Sequence, residues 1–177
     1  MENYQLVPCI SAAEVENQVD RLATEINRDY AGKELVLIGI LKGSFVFLAD
    51  LMRRLTVPLR VDFIRLSSYG SKADTSGEVQ ITKDIELPIR DQEVLVVEDI
   101  VDTGLSMTRL LDYLRSYQPA SLKVCALIDK YERRQVEFQA DYVGIRLDKG
   151  FVVGYGLDFS EKHRHLPGIC VVQFTQD

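Results

Sequence analysis

Between Val94 and Met107 the sequence reads VLVVEDIVDTGLSM, in which four apolar residues precede the carboxylates Glu98 and Asp99, and Asp102, Thr103, Gly104 and Ser106 follow. An apolar strand with this continuation delivers Glu98 and Asp99 to its carboxyl end, turns through Asp102-Thr103-Gly104, and enters a helix at about Ser106. Gly104 admits positive φ, so successive N–H groups can turn inward as a nest, and the helix N-terminus behind it adds positive potential. Such a bend cradles a monophosphate, with Thr103 and Ser106 supplying hydroxyl donors. Three carboxylates beside an anion need a cationic or hydroxylic counterpart, which points to a ribose diol and a divalent metal. Ribose 5-phosphate meets both requirements.

The same residue types can also do no more than end a strand and cap a helix. It is the complete succession, from apolar run through E-D-x-x-D-T-G to a hydroxyl, that favours the phosphate site. A triphosphatase loop needs G-x-x-x-x-G-K-[ST], whereas in Gly39-Ile40-Leu41-Lys42-Gly43-Ser44 the Lys precedes the Gly. The dinucleotide fingerprint fails as well, because Gly154-Tyr155-Gly156 has no third glycine after it.

The elements that would position this bend alternate along the chain. Ser11-Ala-Ala-Glu14 reads as a capping box, and Ala12, Val15, Val19, Leu22, Ala23 and Ile26 then recur at helical spacing to about Asp29. Glu34 to Ile40 is a short continuous apolar run, the mark of a strand covered on both faces and hence of a parallel sheet. Ser44 to Leu55 has a helical apolar face, and Leu59 to Leu66 reads as a strand. The polar stretch SSYGSKADTSG, Ser67 to Gly77, is expected to be a loop. Glu93 to Val97 and Leu122 to Ile128 are further β runs, with helical periodicity from Ser106 to Leu114 between them. The predicted class is therefore α/β, a mainly parallel sheet flanked by helices with ligands at the carboxyl ends of its strands. From about Tyr142 to Phe174, short β runs broken by Gly and charge suggest a small appended lobe.

Composition sets the outer bounds. With 177 residues, 46% of them hydrophobic, no repeat and no shift in composition, one self-sufficient domain is expected. The net charge of -6, from 21 Lys+Arg against 27 Asp+Glu, disfavours nucleic acid as a partner. The longest apolar run, LVLIGIL from Leu35, is too short to span a bilayer, so no membrane partner is expected. MENYQLVPCI has no secretory character, and Cys9, Cys125 and Cys170 show no C-x-x-C spacing. A reduced, cytoplasmic protein is expected, with Cys125 and Cys170 buried in apolar runs.

VLVVEDIVDTGLSM resembles the 5-phosphoribosyl diphosphate signature of the phosphoribosyltransferases. ILKGSFVFLADL (Ile40 to Leu51), DFIRLSSYGS (Asp62 to Ser71) and FVVGYGLDFSEKHRHLP (Phe151 to Pro167) resemble, in order, the pyrophosphate loop, the lid and the purine-binding lobe of hypoxanthine phosphoribosyltransferases. The resemblance covers most of the chain and implies the type I phosphoribosyltransferase fold. Residues 1–177 would form one domain, with a core over roughly 30–140 and a purine-binding hood built from the N-terminal segment and roughly 142–177.

Residue by residue, the resemblance implies that Glu98 and Asp99 bind the ribose diol, directly or through Mg²⁺, and that Asp102, Thr103, Gly104, Leu105 and Ser106 hold the 5-phosphate. Asp102 stands at the position of the general base, near N7 of the purine. Lys42 and Gly43 match the pyrophosphate loop, with a cis peptide expected between Leu41 and Lys42, and Ser68 and Tyr69 match the lid. Lys130 corresponds to the lysine that donates to O6 of the purine, Phe151 to the stacking ring, and Val152 to the carbonyl that reads the base edge. Asp158 matches the ligand of the second Mg²⁺ on pyrophosphate, and Arg164 matches its charge partner. Apart from the resemblance, Lys130 reads as a solvated lysine, Phe151 and Val152 as core residues, and Asp158 and Arg164 as surface charges. His163 and His165 lack a third ligand for zinc and are expected to be solvated. Leu105 stands where some members have Lys, and Ser106 where others have Thr.

The implied reaction is Mg²⁺-dependent transfer of phosphoribosyl from 5-phosphoribosyl 1-diphosphate to N9 of hypoxanthine or guanine, releasing pyrophosphate. The implied assembly is a homodimer or homotetramer. Two rivals stand beside it: a regulatory member that binds nucleotides or RNA with little catalysis, and transfer to a pyrimidine base.

Overall fold

The computed structural model of the chain describes residues 3–68 and 79–175. The capping box forms as the sequence predicts: the Glu14 N–H donates to the Ser11 hydroxyl at 3.2 Å, and the Ser11 N–H donates to the Glu14 carboxylate at 2.8 Å. Behind it runs α1 (Ala12–Asp29), which buries Val15, Val19, Leu22, Ala23 and Ile26 on one stripe. Each large member of that stripe stabilises the fold by about 2 kcal/mol relative to exposure.

The central sheet is built from β2 (Leu35–Leu41), β3 (Leu59–Ser68), β4 (Val79–Lys83), β5 (Glu93–Val101), β6 (Ser121–Lys130) and β7 (Tyr142–Leu147). Their order across the sheet is β4-β3-β2-β5-β6-β7, with every pairing parallel except that of β3 with β4. Its inner strands β2, β5 and β6 are buried on both faces over their apolar runs, as such runs require. Leu35, Leu37, Leu95, Val97, Cys125 and Leu127 join α1 and α2 (Phe45–Met52) in one core. The intervening Val36, Ile38, Val94, Val96, Val124 and Ala126 face α3 (Leu105–Arg115) in a second. From β2 the chain crosses to β3 on one side, and from β5 it crosses to β6 on the other. The carboxyl ends of β2 and β5 therefore flank the point where strand order reverses, the place where such sheets bind ligands.

A smaller antiparallel sheet, β1 (Tyr4–Ile10), β9 (Ile169–Phe174) and β8 (Val152–Val153), in the order β1-β9-β8, forms the appended lobe. Two expectations need adjustment. Tyr142 to Leu147 pairs in parallel with Cys125 to Lys130, so it is the edge strand of the central sheet and the lobe starts after it. The strand β4 was not expected. It folds back on β3 beyond the polar stretch, and Asp62 secures the segment after β4 by accepting from the N–H groups of Glu86 and Leu87 at 2.6 and 2.8 Å. Cys125 is buried as expected, whereas Cys170 is only partly so and Cys9 is exposed. No helix among the described residues is long and apolar enough to cross a membrane.

Candidate active site

The strand β5 runs further than the sequence suggests, to Val101, and carries both carboxylates within the pairing to β6, where Glu98 stands opposite Ala126. Asp99 is buried, with one oxygen accepting from the Ile100 N–H at 2.9 Å. Its other oxygen lies so near Gly43 that a Cβ there would fall 1.7 Å from it, so only glycine lets the β2 loop approach the acid. The Leu41–Lys42 peptide is cis, as expected. Glu98 lines the adjacent cavity. Burial of its carboxyl and the neighbouring Asp99 carboxylate push it well above its ordinary pKa, against the opposing pull of the Asp99 and Ile100 N–H groups.

That cavity, about 230 Å³, is lined by Glu98, Asp102, Thr103, Gly104, Ser106 and Met107 together with Ile40 and Leu66. Gly104, at φ 83°, is the N-cap of α3 and gives the helix no side-chain cap. The first-turn N–H groups consequently face the cavity with the positive end of the helix behind them. The Thr103 hydroxyl accepts from the Leu105 N–H at 3.4 Å, which folds the bend inward. Four of the five residues expected to hold a phosphate, Asp102, Thr103, Gly104 and Ser106, line this one cavity, and Leu105 does not.

Asp102 closes this bend on the side of β6. Its Oδ1 is buried and has no hydrogen-bond partner among the described residues, while Oδ2 lies 3.8 Å from Lys130 Nζ and 3.6 Å from an Arg133 guanidinium nitrogen. Lys130 is not solvated as its residue type alone suggests. It is 7% exposed and donates to the Gly150 carbonyl at 3.0 Å, so a strand with an apolar run from Val124 to Ile128 ends in a directed ammonium group. The next residue after Gly150 is Phe151, whose ring is 47% exposed and held edge-on by Phe159 at 5.5 Å. An aromatic face left open beside a buried lysine suits a flat heterocycle that carries an acceptor. Val152 is buried in β8 and paired with Val171.

On the opposite side of the β2 loop, Arg164 pairs with Asp158 at 2.8 Å and donates to the Gly156 carbonyl at 2.8 Å. The second Asp158 oxygen accepts from the Glu161 N–H. Sequence reasoning missed Glu161 itself, whose Oε2 lies 3.0 Å from Lys42 Nζ and 3.2 Å from Arg164. Hydrogen bonds from Lys42 and Arg164 hold its carboxyl below the usual range. Also missed were Arg133 and Arg134, for which the only signal was the charge run YERR. His163 departs from expectation, since its Nε2 shares a 2.8 Å hydrogen bond with the Tyr4 hydroxyl and so ties the lobe's turn to β1; His165 is exposed. Ser67 and Ser68 end β3, paired with Gln80 and Val79, while Tyr69 and the rest of the expected lid lie outside the described residues.

Among the described residues no three His, Cys, Asp or Glu side chains converge as a metal cage. What is present, Glu98 lining the cavity and Asp99 facing the Gly43 loop, fits a Mg²⁺ ion that takes few ligands from the protein and most of them from substrate oxygens and water.

A family model for the phosphoribosyl transferase domain matches residues 11–160. The chain is 45% identical over 161 residues to the hypoxanthine-guanine phosphoribosyltransferase of Aquifex aeolicus, covering 90% of each. It is 43% identical over 160 residues to the hypoxanthine phosphoribosyltransferase of Salmonella typhimurium, covering 89% of this chain and 90% of the other. A crystal structure of a hypoxanthine-guanine phosphoribosyltransferase from Bacillus anthracis superposes with a TM-score of 0.90 at 43% identity, covering 97% of this chain and 99% of that one. With a phosphate-shaped bend at the switch point of the sheet, and relatives that match it nearly end to end, the chain belongs to the phosphoribosyltransferase family, in its hypoxanthine-guanine group.

Proposed function

We propose that the chain serves purine salvage by transferring the 5-phosphoribosyl group of 5-phosphoribosyl 1-diphosphate to N9 of hypoxanthine or guanine, yielding IMP or GMP and pyrophosphate. The observation that carries this reading is Asp102, which lines the phosphate-shaped bend, holds Oδ2 3.8 Å from the buried Lys130 and buries an Oδ1 that has no hydrogen-bond partner among the described residues. A buried acceptor without a donor signals a missing ligand group.

In this reading the bend from Asp102 to Ser106 seats the 5-phosphate, and Glu98 and Asp99 receive the ribose diol. The purine lies on Phe151, with Lys130 donating to its O6 and the Val152 carbonyl accepting from the base edge. As the N9–C1 bond forms and the C1–oxygen bond breaks, pyrophosphate leaves with the bonding pair and the ribose passes through an oxocarbenium-like state. The carboxylates around the sugar tolerate its positive charge, and Lys42, the Gly43 backbone and Arg164 hold the departing diphosphate. The Asp102 carboxylate accepts the proton that the base gives up. Glu98 and Asp99 would hold Mg²⁺ on the ribose side and Asp158 a second Mg²⁺ on the diphosphate side, where the metal would supply charge neutralisation for the leaving group. Ser68 and Tyr69 belong to the lid that keeps water from the activated sugar.

The proposal extends to a cytoplasmic homodimer or homotetramer; the exposed Phe45 and Met52 on α2 offer apolar surface for association. The decisive experiment presents 5-phosphoribosyl 1-diphosphate and Mg²⁺ with a panel of bases and follows pyrophosphate. Equimolar nucleotide and pyrophosphate with hypoxanthine or guanine is the expected result. Release with pyrimidines only, or salt-sensitive RNA binding without release, would replace this reading with one of its rivals.

A further inference from the structure

The proposed pyrophosphate contacts come from two elements that are far apart in sequence, Lys42 after β2 and Arg164 in the lobe. A single oxygen bridges them: Glu161 Oε2, 3.0 Å from the ammonium of Lys42 and 3.2 Å from the guanidinium of Arg164. One oxygen accepting from two cations is the arrangement of a phosphoryl oxygen. The turn that carries Glu161 is shaped for this reach. Ser160 and Glu161 both adopt positive φ, 51° and 63°, and the Glu161 N–H is anchored on Asp158 at 2.8 Å. Arg164 is at the same time fixed by Asp158 and by the Gly156 carbonyl, and its side chain is only 18% exposed, so the cation is held in place whether or not Glu161 contacts it. The Glu161 side chain is 65% exposed.

Resting on the reading of Lys42 and Arg164 as the diphosphate ligands, we propose that the Glu161 carboxylate is a resident counter-ion that occupies the anion seat and competes with pyrophosphate for it. It keeps the two cations facing one another while the seat is free of substrate, and it must swing out when the diphosphate enters. Because the competing pairs are solvent-exposed, their strength is modest and depends on salt. The consequence for function is an affinity held below what the cations alone would give, which favours release of the pyrophosphate product.

The test is calorimetric titration of magnesium pyrophosphate into the full chain, its Glu161→Gln variant and its Arg164→Ala variant, at low and high salt. Glu161→Gln keeps the side-chain shape and removes the competing charge. It should bind pyrophosphate roughly 2- to 5-fold more tightly than the unsubstituted chain, with the ratio approaching one as salt is raised, while Arg164→Ala binds more weakly. Weaker binding by Arg164→Ala with no gain in Glu161→Gln, or a gain that ignores salt, would overturn the competition and leave the ligand assignment standing. Unchanged affinity in Arg164→Ala would remove the assignment and the inference together.

Discussion

Replacing Gly43 with Ala probes the closest approach in the site. The added Cβ would stand 1.7 Å from Asp99 Oδ2 and 2.5 Å from Asp99 Cγ, so the acid must retreat by more than an ångström to reach even a tight contact of 3.0 Å. Asp99 has little room to do so: it is 7% exposed, and its Oδ1 accepts from the Ile100 N–H at 2.9 Å. Overpacking of this kind costs about 1–3 kcal/mol. Stability alone would then leave the fold intact, since a domain of this size has about 5–15 kcal/mol in hand. Function should suffer more than folding, because a displacement of about 1 Å at a positioned group costs on the order of 10²-fold in rate. Urea denaturation and steady-state kinetics on Gly43→Ala measure the two effects separately. A turnover within a few-fold of the unsubstituted chain, together with unchanged stability, would refute both the steric argument and the role of Asp99.

Asp102→Asn preserves shape but removes a carboxylate oxygen, so turnover should fall by about 10²- to 10⁴-fold while the KM for 5-phosphoribosyl 1-diphosphate changes only slightly; an unchanged turnover number would dismiss Asp102 as the proton acceptor. Phe151→Ala removes the open ring beside Lys130 and should raise the KM for the purine about tenfold without altering that for the diphosphate substrate, as competition assays with both substrates would show. Asp62→Asn should destabilise the fold by about 2 kcal/mol at neutral pH, because burial alone would raise this carboxyl, yet the N–H groups of Leu87, Phe63 and Glu86 hold it below its usual range. A group depressed in the folded state binds fewer protons there than when unfolded, so its contribution is complete above about pH 4 and is lost as pH falls through the folded value. The gap between the urea midpoints of the two proteins should therefore narrow as pH falls below the ordinary carboxylate range, and a gap independent of pH would count against the assignment.

What could be read from the sequence depended on how local the cause was. The cap at Ser11, the stripe on α1 and the doubly buried runs at Leu35 and Val94 follow from periodicity and composition within a few residues. The bend at Asp102 to Ser106 was legible for the same reason: strand, glycine and helix start lie in one segment. Tyr142 to Leu147 was assigned to the wrong sheet because a strand's partner is decided at a distance, here by register with Cys125 to Lys130. Lys130 and Glu161 have no local signature. Lys130 resembles a solvated strand end until Gly150 and Asp102 are brought to it, and Glu161 resembles a surface charge until Lys42, over a hundred residues earlier, is folded against it.

The site also owes its rigidity to a residue that touches no substrate in the proposed reading. Arg134 donates to the carbonyl of Asp102 at 3.0 Å and to that of Lys130 at 3.2 Å, and its guanidinium pairs with the fully buried Asp129. The neighbouring Gln135 N–H donates to the Thr103 carbonyl at 3.0 Å. The loop after β6 thereby grips the phosphate bend after β5 and the base of the purine lysine at once. Below this grip the two strands are already in fixed register, with Glu98 beside Ala126 and Val101 beside Asp129. In the proposed reading, the sugar seat at Glu98 and the purine-binding Lys130 are thereby tied to one another through paired strands and a bridged pair of loops. A transfer with no covalent enzyme intermediate draws its rate from such fixed placement of two ligands.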